Sequence, residues 1–362
     1  MVRQPGVRRN ATLKDVSAAA GVSQMTVSNV VNGRFDVVRP ETRARVEEAI
    51  RRLGYRPKAS ARGLRTDRNL TVGMLIVDPT QTFMTDPFIA RVLVGLTTSL
   101  RANGYGCLLE VIAPGDVGNS IFIRHARIDG LCVFLSGRTA DRRKMLQRLL
   151  ELHGPIIAFQ ETIEPDSEDC CVIRQDDFRG AHEMTTHMID RGARRFLVLV
   201  PSTVWPAVLE RQRGVREAVR RRLKDADVTV LECGSANYVD TQASLAAYLD
   251  AHEPPDAIFT NNDQIAIAAQ HLVQTRGLRV PGDLMITGFN GFEFWQYAKP
   301  ALTTAFSPAY EMGVEGGRLM LQRIESGRFE TGRVVFPVKV HPSFVADQRN
   351  SVLWSMADRC RR

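Results

Sequence analysis

The chain has 362 residues, a formal net charge of +8 and a hydrophobic content of 44%. This length exceeds one typical domain and suits a small module joined to a large body with a sizeable core. No apolar run is long enough to cross a bilayer, and the N-terminus lacks the apolar segment of a signal peptide. The sequence therefore argues against membrane and exported proteins and predicts a cytoplasmic one.

The positive charge is concentrated at the N-terminal end. Residues 1 to 68 hold 15 Lys and Arg against 6 Asp and Glu, whereas the remainder is nearly neutral. A basic surface can be a solvated face or a patch for a membrane surface. A basic helical module on a neutral body, however, is the charge pattern of a DNA-binding protein.

Residues 12 to 32 predict two short helices joined by a tight turn at Gly21. Thr12 and Ser23 are suitable N-caps, and Asp15 completes a shortened capping box with Thr12. Apolar residues at helical spacing are expected to face a small core: Val16, Ala19, Ala20, Val27, Val30 and Val31.

The outward face of the second predicted helix carries amides, a hydroxyl and a thioether: Gln24, Met25, Ser28 and Asn29. Amides pair with the adenine edge in the major groove, and Met25 can lie against a thymine methyl. This composition favours a helix that reads DNA, with an ordinary helical hairpin as the alternative.

A third helix is predicted to begin at Pro40 and to end at Gly54, its C-cap. Arg39 stands where a capping Ser or Thr would be expected, so the start of this helix is less well fixed. Its apolar side is Val46, Ala49, Ile50 and Leu53. Three helices would complete a helix-turn-helix module.

Residues 58 to 69 are basic and polar, and as a free segment they are predicted to be a flexible linker, because so short a helix is marginal in water.

From residue 70, short apolar runs alternate with amphipathic stretches, which is typical of parallel sheets with crossover helices and predicts two α/β lobes. The strand candidates are Val72 to Val77, Gly106 to Ile112, Gly130 to Leu135, Ile156 to Phe159, Phe196 to Val200, Val228 to Leu231, Ala257 to Thr260, Leu284 to Thr287 and Leu302 to Phe306.

Metal, cofactor and catalytic signals are weak in the sequence. The six cysteines show no C-x-x-C spacing and mostly lie in apolar runs, so we interpret them as reduced core residues and predict no metal site. No G-x-G-x-x-G motif follows a strand and no Walker A motif occurs, so no cofactor is expected. The seven histidines are scattered, and no nucleophile-base pair indicates an enzyme.

Several motifs in the first 65 residues occur in a characteristic order: residues 12 to 32, Pro40-Glu41-Thr42-Arg43, Leu53-Gly54-Tyr55-Arg56-Pro57 and Ala61-Arg62-Gly63-Leu64-Arg65. They resemble the headpiece and hinge of the lactose-repressor and galactose-repressor family of bacterial transcription regulators. The resemblance continues at lower density to about residue 340, for example in Asp86-Pro87-Phe88, Asn262-Asp263-Gln264 and Gly288-Phe289.

The resemblance implies an α/β protein with a three-helix helix-turn-helix headpiece (10–57) and a hinge helix (58–69). A two-lobed body of parallel sheets with flanking helices, similar to periplasmic sugar-binding proteins, would follow (70–345), with a tail at 346–362. Its N-lobe is expected at about 70–173 and 303–335, and its C-lobe at about 174–302 and 336–345. The tail shows no leucine heptad, so a tetramerisation helix is not expected.

The DNA contacts that the resemblance implies lie on the headpiece and the hinge. In the family the hinge folds on operator DNA, and a leucine matching Leu64 wedges into the minor groove. The expected DNA-binding residues are Thr12, Ser23, Gln24, Met25, Thr26, Ser28, Asn29, Asn32, Lys58, Ala61, Arg62, Leu64 and Arg65.

A small-molecule effector is expected between the lobes, because open α/β sheets bind ligands outside the carboxyl ends of their strands. The contacts that the resemblance implies are Phe83, Phe88, Ser136, Gln160, Trp205, Arg211, Tyr238, Asn262 and Asn290. Relatives that bind neutral sugars commonly have carboxylates where this chain has Gln160 and Asn290. The amides shift the expectation towards an acidic or phosphorylated sugar or another small metabolite.

The resulting hypothesis is a homodimeric regulator, a repressor as is usual in this family, that binds double-stranded operator DNA under the control of a metabolite. An enzyme is one alternative. A DNA-binding regulator or architectural protein without an effector is the other.

Overall fold

The computed structural model describes residues 11–55, 68–80, 87–125, 127–164, 167–224, 226 and 228–341. The chain forms two units, one up to Asn69 and one from Leu70.

The N-terminal unit contains three helices, α1 (Leu13–Ala20), α2 (Gln24–Val31) and α3 (Pro40–Leu53), with a 3-10 turn at Phe35–Val37. Thr12 and Asp15 form the predicted capping box at α1, and Gly21 ends that helix in the left-handed region with φ of 64°. Ser23 caps α2 by accepting a hydrogen bond from the Thr26 N–H at 3.1 Å. The three-helix prediction is therefore confirmed.

The core of this unit consists of Val16, Ala20, Val27, Val30, Val38, Val46, Ala49 and Tyr55. Ala19 and Leu53 were expected on the apolar faces, but both are exposed. In α1 the buried face runs through Val16, Ser17 and Ala20 instead. Ser17 is accommodated there because its hydroxyl donates to the Lys14 carbonyl at 2.9 Å.

The first sheet of the body consists of six strands: β1 (Thr71–Val77), β2 (Gly106–Ile112), β3 (Gly130–Leu135), β4 (Ile156–Phe159), β5 (Cys170–Gln175) and β11 (Arg333–Phe336). They are parallel, in the order β11-β5-β4-β3-β1-β2. The helices of this lobe are α4 (Pro87–Ala102), α5 (Ile121–Arg124), α6 (Thr139–His153) and α11 (Ala309–Ser326).

The second sheet consists of β6 (Phe196–Val200), β7 (Val228–Glu232), β8 (Ala257–Thr260) and β9 (Met285–Thr287). These strands are also parallel, in the order β7-β6-β8-β9. Single bridges connect the β9 side to an antiparallel pair, β10 (Thr304–Phe306) and β12 (Lys339–His341). The helices are α7 (Asp177–Asp190), α8 (Pro206–Arg222), α9 (Tyr238–Ala251) and α10 (Asp263–Thr275).

The chain passes between the lobes three times: between β5 and α7, between β10 and α11, and between β11 and β12. The second crossing was expected at residues 302 to 303. Strand β10 still belongs to the second lobe, however, because Asn290 and Thr287 bridge to Phe306 and Thr303, so the crossing comes at Ser307. All three crossings lie at the carboxyl ends of strands, where ligands of such sheets bind.

Candidate DNA-reading surface and effector cleft

The predicted DNA-reading face lies on α2. Gln24 and Met25 are exposed, Met25 with 61% of its surface accessible, and Ser28 and Asn29 are partly exposed. A large apolar side chain left this open on a polar helix face is available for contact with a thymine methyl or another apolar group.

The remaining predicted DNA contacts on the headpiece also make hydrogen bonds within it. Thr12 and Ser23 are the N-caps of α1 and α2, and the Thr26 hydroxyl is 2.9 Å from that of Ser23. Asn32 donates from Nδ2 to the Ser28 hydroxyl at 3.2 Å. These side chains fix the ends of the two helices and so define the orientation of the reading face. The predicted contacts Lys58, Ala61, Arg62, Leu64 and Arg65, and the effector contact Phe83, lie outside the described residues.

A cleft of about 750 Å³ lies between the two lobes of the body. It brings together seven of the residues predicted to contact an effector: Phe88, Gln160, Trp205, Arg211, Tyr238, Asn262 and Asn290. Ser136 was expected there, but it does not line the cleft. It follows β3 as a buried residue whose backbone N–H donates to the Val77 carbonyl at 3.2 Å.

Arg211 projects from α8 into the floor of the cleft and is only 5% exposed. Its Nε donates to Asp177 Oδ1 at 2.8 Å, and Nη1 donates to the Asn261 carbonyl. Nη2 donates to Asn290 Oδ1 at 3.3 Å, and the guanidinium lies 3.8 Å from the centre of the Phe289 ring. The side chain is therefore held on several sides by the protein itself.

Asp177, the first residue of α7, was not identified from the sequence as a site residue. It is 3% exposed, and besides Arg211 it accepts hydrogen bonds from Gln175 Nε2 at 2.8 Å and Gln160 Nε2 at 3.1 Å. Burial raises the pKa of its carboxyl, and the ion pair with Arg211 opposes that rise. The signal that was available is that Asp177 lies two residues after the end of strand β5, which was missing from the predicted strands.

Gln160 and Asn290 both have a positive φ, 57° and 97° respectively. This conformation is uncommon for a residue other than glycine, and such residues concentrate at functional sites. Gln160 is held in it by its N–H bond to the Ile173 carbonyl at 2.8 Å and by the Gln175 N–H, which donates to Gln160 Oε1 at 2.9 Å. The two amides therefore belong to one polar network with Arg211 and Asp177.

Asn262 has a structural role alongside its place in the cleft. Its Oδ1 accepts from the Ile265 N–H at 2.9 Å and so caps α10. The next residue, Asp263, accepts from the Thr304 hydroxyl at 2.5 Å, and burial raises the pKa of its carboxyl to about 7.

Much of the cleft wall is apolar. Its aromatic members are Phe88, Phe134, Phe159, Trp205, Tyr238, Phe294 and Tyr297. Phe134 stacks on Phe159 with ring centroids 5.2 Å apart, and Phe88 meets Phe134 edge-on at 6.3 Å. Sequence reasoning missed Phe134, Phe159, Phe294 and Tyr297, although Phe134 and Phe159 lie near the ends of predicted strands. Rings of this kind can cover the apolar face of a ligand.

The lobes contact each other beside the cleft. The Gly137 N–H, after β3, donates to the Val204 carbonyl, after β6, at 2.8 Å. Trp205 packs against the cores of both lobes, and the guanidinium of Arg91 on α4 lies 5.7 Å from the Phe292 ring. These contacts hold the two walls of the cleft together.

No group of three His, Cys, Asp or Glu residues is placed to hold a metal ion within the described ranges. Cys132, Cys170, Cys171 and Cys233 are buried, and burial raises the pKa of the Cys170, Cys171 and Cys233 thiols to about 12. Thiols of this kind are poor nucleophiles and metal ligands. A membrane-spanning helix is likewise not found among the described residues.

Comparisons with known proteins connect both regions to one group. The profile for bacterial regulatory proteins of the lacI family matches residues 12–58, and that for the periplasmic binding protein-like domain matches residues 185–342. The chain is 31% identical over 342 residues to the HTH-type transcriptional regulator CelR of Thermobifida fusca, covering 92% of this chain and 96% of that protein.

Two solved structures also superpose on most of this chain. A CelR–cellobiose complex superposes with a TM-score of 0.65 at 26% identity, covering 92% of this chain and 99% of that one. The lac repressor dimer bound to operator and an anti-inducer superposes with a TM-score of 0.76 at 21% identity, covering 92% and 98%. The second similarity shows the fold alone.

Proposed function

This chain belongs to the lacI family of bacterial regulatory proteins, and from that premise we propose that a small metabolite in the interlobe cleft controls the affinity of the headpiece for operator DNA. The protein is a DNA-binding transcription regulator, and repression is the mode we propose for it. Operator binding would take place in the cytoplasm, where bacterial chromosomal DNA lies. No catalytic role is proposed.

The observation that carries effector control is the composition of the cleft floor. Gln160 comes from the first lobe and Arg211 and Asn290 from the second, while Asp177 and Gln175 flank a crossing between the lobes. The Ser307 hydroxyl, at the second crossing, donates to Gln175 Oε1 at 2.6 Å. A ligand that rearranges this network therefore acts directly on the segments that set the angle between the lobes.

A sugar-like ligand is supported by CelR, which was solved in complex with cellobiose. The cleft offers what a sugar ring requires, namely amide groups for hydroxyls and aromatic faces for C–H surfaces. We propose a ligand of that chemical class, without assigning its identity.

A homodimer is the proposed assembly, because a single recognition helix reads few base pairs and a two-fold axis doubles the contacts. Exposed apolar side chains outside the cleft are available for the contact on both lobes, namely Val94 on α4 and Val239 on α9. Sedimentation with a stable monomer at micromolar concentration, and one monomer per duplex, would refute the dimer.

The deciding experiment measures operator binding in the presence and absence of a metabolite panel that includes cellobiose, alongside calorimetry with the same compounds. A compound that binds and changes operator affinity at least fivefold supports the proposal. Specific operator binding that no ligand alters would favour the alternative, a regulator or architectural protein without an effector.

A further inference from the structure

All three nitrogens of the Arg211 guanidinium already have acceptors from the protein. Nε is paired with Asp177, Nη1 with the Asn261 carbonyl and Nη2 with Asn290 Oδ1. The Phe289 ring covers one face of the group. Each nitrogen therefore donates to the protein, which uses three of the five N–H donors of the group.

The Asp177 carboxylate is fixed in place independently of Arg211. Its Oδ1 accepts from Gln175 Nε2 at 2.8 Å, and its Oδ2 accepts from Gln160 Nε2 at 3.1 Å. These bonds hold the carboxylate against the Nε edge of the guanidinium, an edge that a ligand carboxylate or phosphate could otherwise bind. Asp177 thus occupies the position that a bound anion would take at this edge of the guanidinium.

Two more carboxyl groups, those of Asp78 and Asp263, contribute negative charge around the cleft. Among the described residues, Arg211 and Asp78 are the charged side chains that line the cleft. Asp263 is close enough for the charge of Arg211 to lower its pKa, although burial has the larger and opposite effect. The positive charge at the floor is therefore balanced by the protein and does not attract anions from solution.

On the basis of the effector cleft proposed above, we propose that Asp177 determines the charge class of the ligand: it is the internal counter-ion of Arg211 and restricts the cleft to uncharged compounds. The sequence had suggested the reverse, because amides at Gln160 and Asn290 remove two carboxylates. The negative charge missing at those positions is supplied by Asp177, and both amides are bonded within the same network.

The test uses inorganic sulfate, whose charge is constant near neutral pH, as an anionic probe of the full-length protein at fixed ionic strength. Sulfate binding is followed by calorimetry and by intrinsic tryptophan fluorescence, to which Trp205 in the cleft contributes. The variants are Asp177→Asn, Asp177→Ser and the double variant Asp177→Asn/Arg211→Gln. The charge-matched control is Asp176→Asn, which changes the neighbouring cap of α7 to a residue that caps equally well.

We expect Asp177→Asn to bind sulfate with a dissociation constant at least tenfold lower than the unmodified protein. Asp176→Asn and the double variant should bind as weakly as the unmodified protein, because the first keeps the Asp177 counter-ion and the second lacks the cation. Asp177→Ser should reproduce the gain if Asn at this position distorts the floor.

The proposal is overturned if both Asp177 variants keep the native circular dichroism and a cooperative thermal transition but bind sulfate within twofold of the unmodified protein. It is also overturned if the unmodified protein binds sulfate in the cleft as tightly as Asp177→Asn. Neither outcome depends on DNA, so failure of effector control would be recognised separately by an operator titration in which no ligand has any effect.

Discussion

The reading face of α2 and the floor of the cleft use similar polar side chains in opposite ways. On α2, Gln24 and Met25 extend from a helix whose ends are held by caps, so their free ends face solvent. In the cleft, Arg211 and Asp177 are bonded to each other and to neighbouring amides. Changing one residue of such an exposed surface costs little stability. Changing one member of a buried network costs more, because its partner is left buried without a hydrogen bond.

The largest expected effect follows from breaking the buried pair. Arg211→Ala should lower the free energy of unfolding by about 3–5 kcal/mol, because Asp177 is left buried without its cation. It should also abolish the ligand response while operator affinity is retained, since Arg211 lies in the body and not on the reading face. Urea denaturation and operator titration measure the two effects.

Arg211→Ala/Asp177→Ala is the control for that prediction. Removing both charges should recover part of the lost stability, because no unpaired charge remains. An Arg211→Ala protein that responds to ligand with an unchanged midpoint would remove Arg211 from the site.

On the reading face, Asn29→Arg should change specificity and leave stability nearly untouched. Asn pairs with adenine N6 and N7, whereas Arg pairs with guanine O6 and N7, so the preference at one symmetric pair of operator positions should move towards guanine by about 1–3 kcal/mol. Binding-site selection on both proteins measures this. An unchanged base preference with uniformly altered affinity would instead assign Asn29 to a phosphate contact.

The free energy of unfolding should depend on pH through a buried carboxyl group beside the cleft, which has no counterpart on the reading face. Burial raises the pKa of Asp263 from 3.8 to about 7, so between these values the folded state binds a proton that the unfolded state does not. Stability should therefore increase as the pH falls from 7.5 to 5.5, by about 2 kcal/mol from this group. Urea denaturation across that range should show the trend, and Asp263→Asn should remove that contribution.

The smallest effect concerns the cap of α2. Ser23→Ala removes the acceptor for the Thr26 N–H and should cost about 1 kcal/mol of headpiece stability. Ser23→Asn should restore most of it, because Asn is an equally good N-cap. Thermal unfolding followed by circular dichroism compares the three proteins, and equal midpoints would show that the cap does not limit stability.

Local signals made the headpiece and most of the body predictable. Caps such as Thr12 and Gly54 act within a few residues, and all nine predicted strands are present with small shifts at their ends. Strand β5 was not among the predicted strands, because it ends in Arg174 and Gln175. Its first four residues are apolar. The short strands β11 and β12 were also missed, and their burial is only partial.

The location of the cleft between the lobes was predictable from the sequence, but the pairing of its side chains was not. The family resemblance indicated Gln160 and Asn290, but the pairing of Asp177 with Arg211 joins residues 34 positions apart in sequence. Such a contact depends on how two helices pack, and a single sequence carries no local pattern for it. For the same reason Ser136 was placed in the cleft, although it is buried and does not line it.

The pairing of Asp177 with Arg211 has a consequence for how regulators built on this body can diversify. The charge at the cleft floor depends on one carboxylate at the first position of a helix, not on the sheets that form the lobes. One nucleotide change can convert an Asp codon to an Asn codon, so a descendant could acquire anionic ligands in a single mutational step. Its headpiece, and with it the set of genes it recognises, would remain the same.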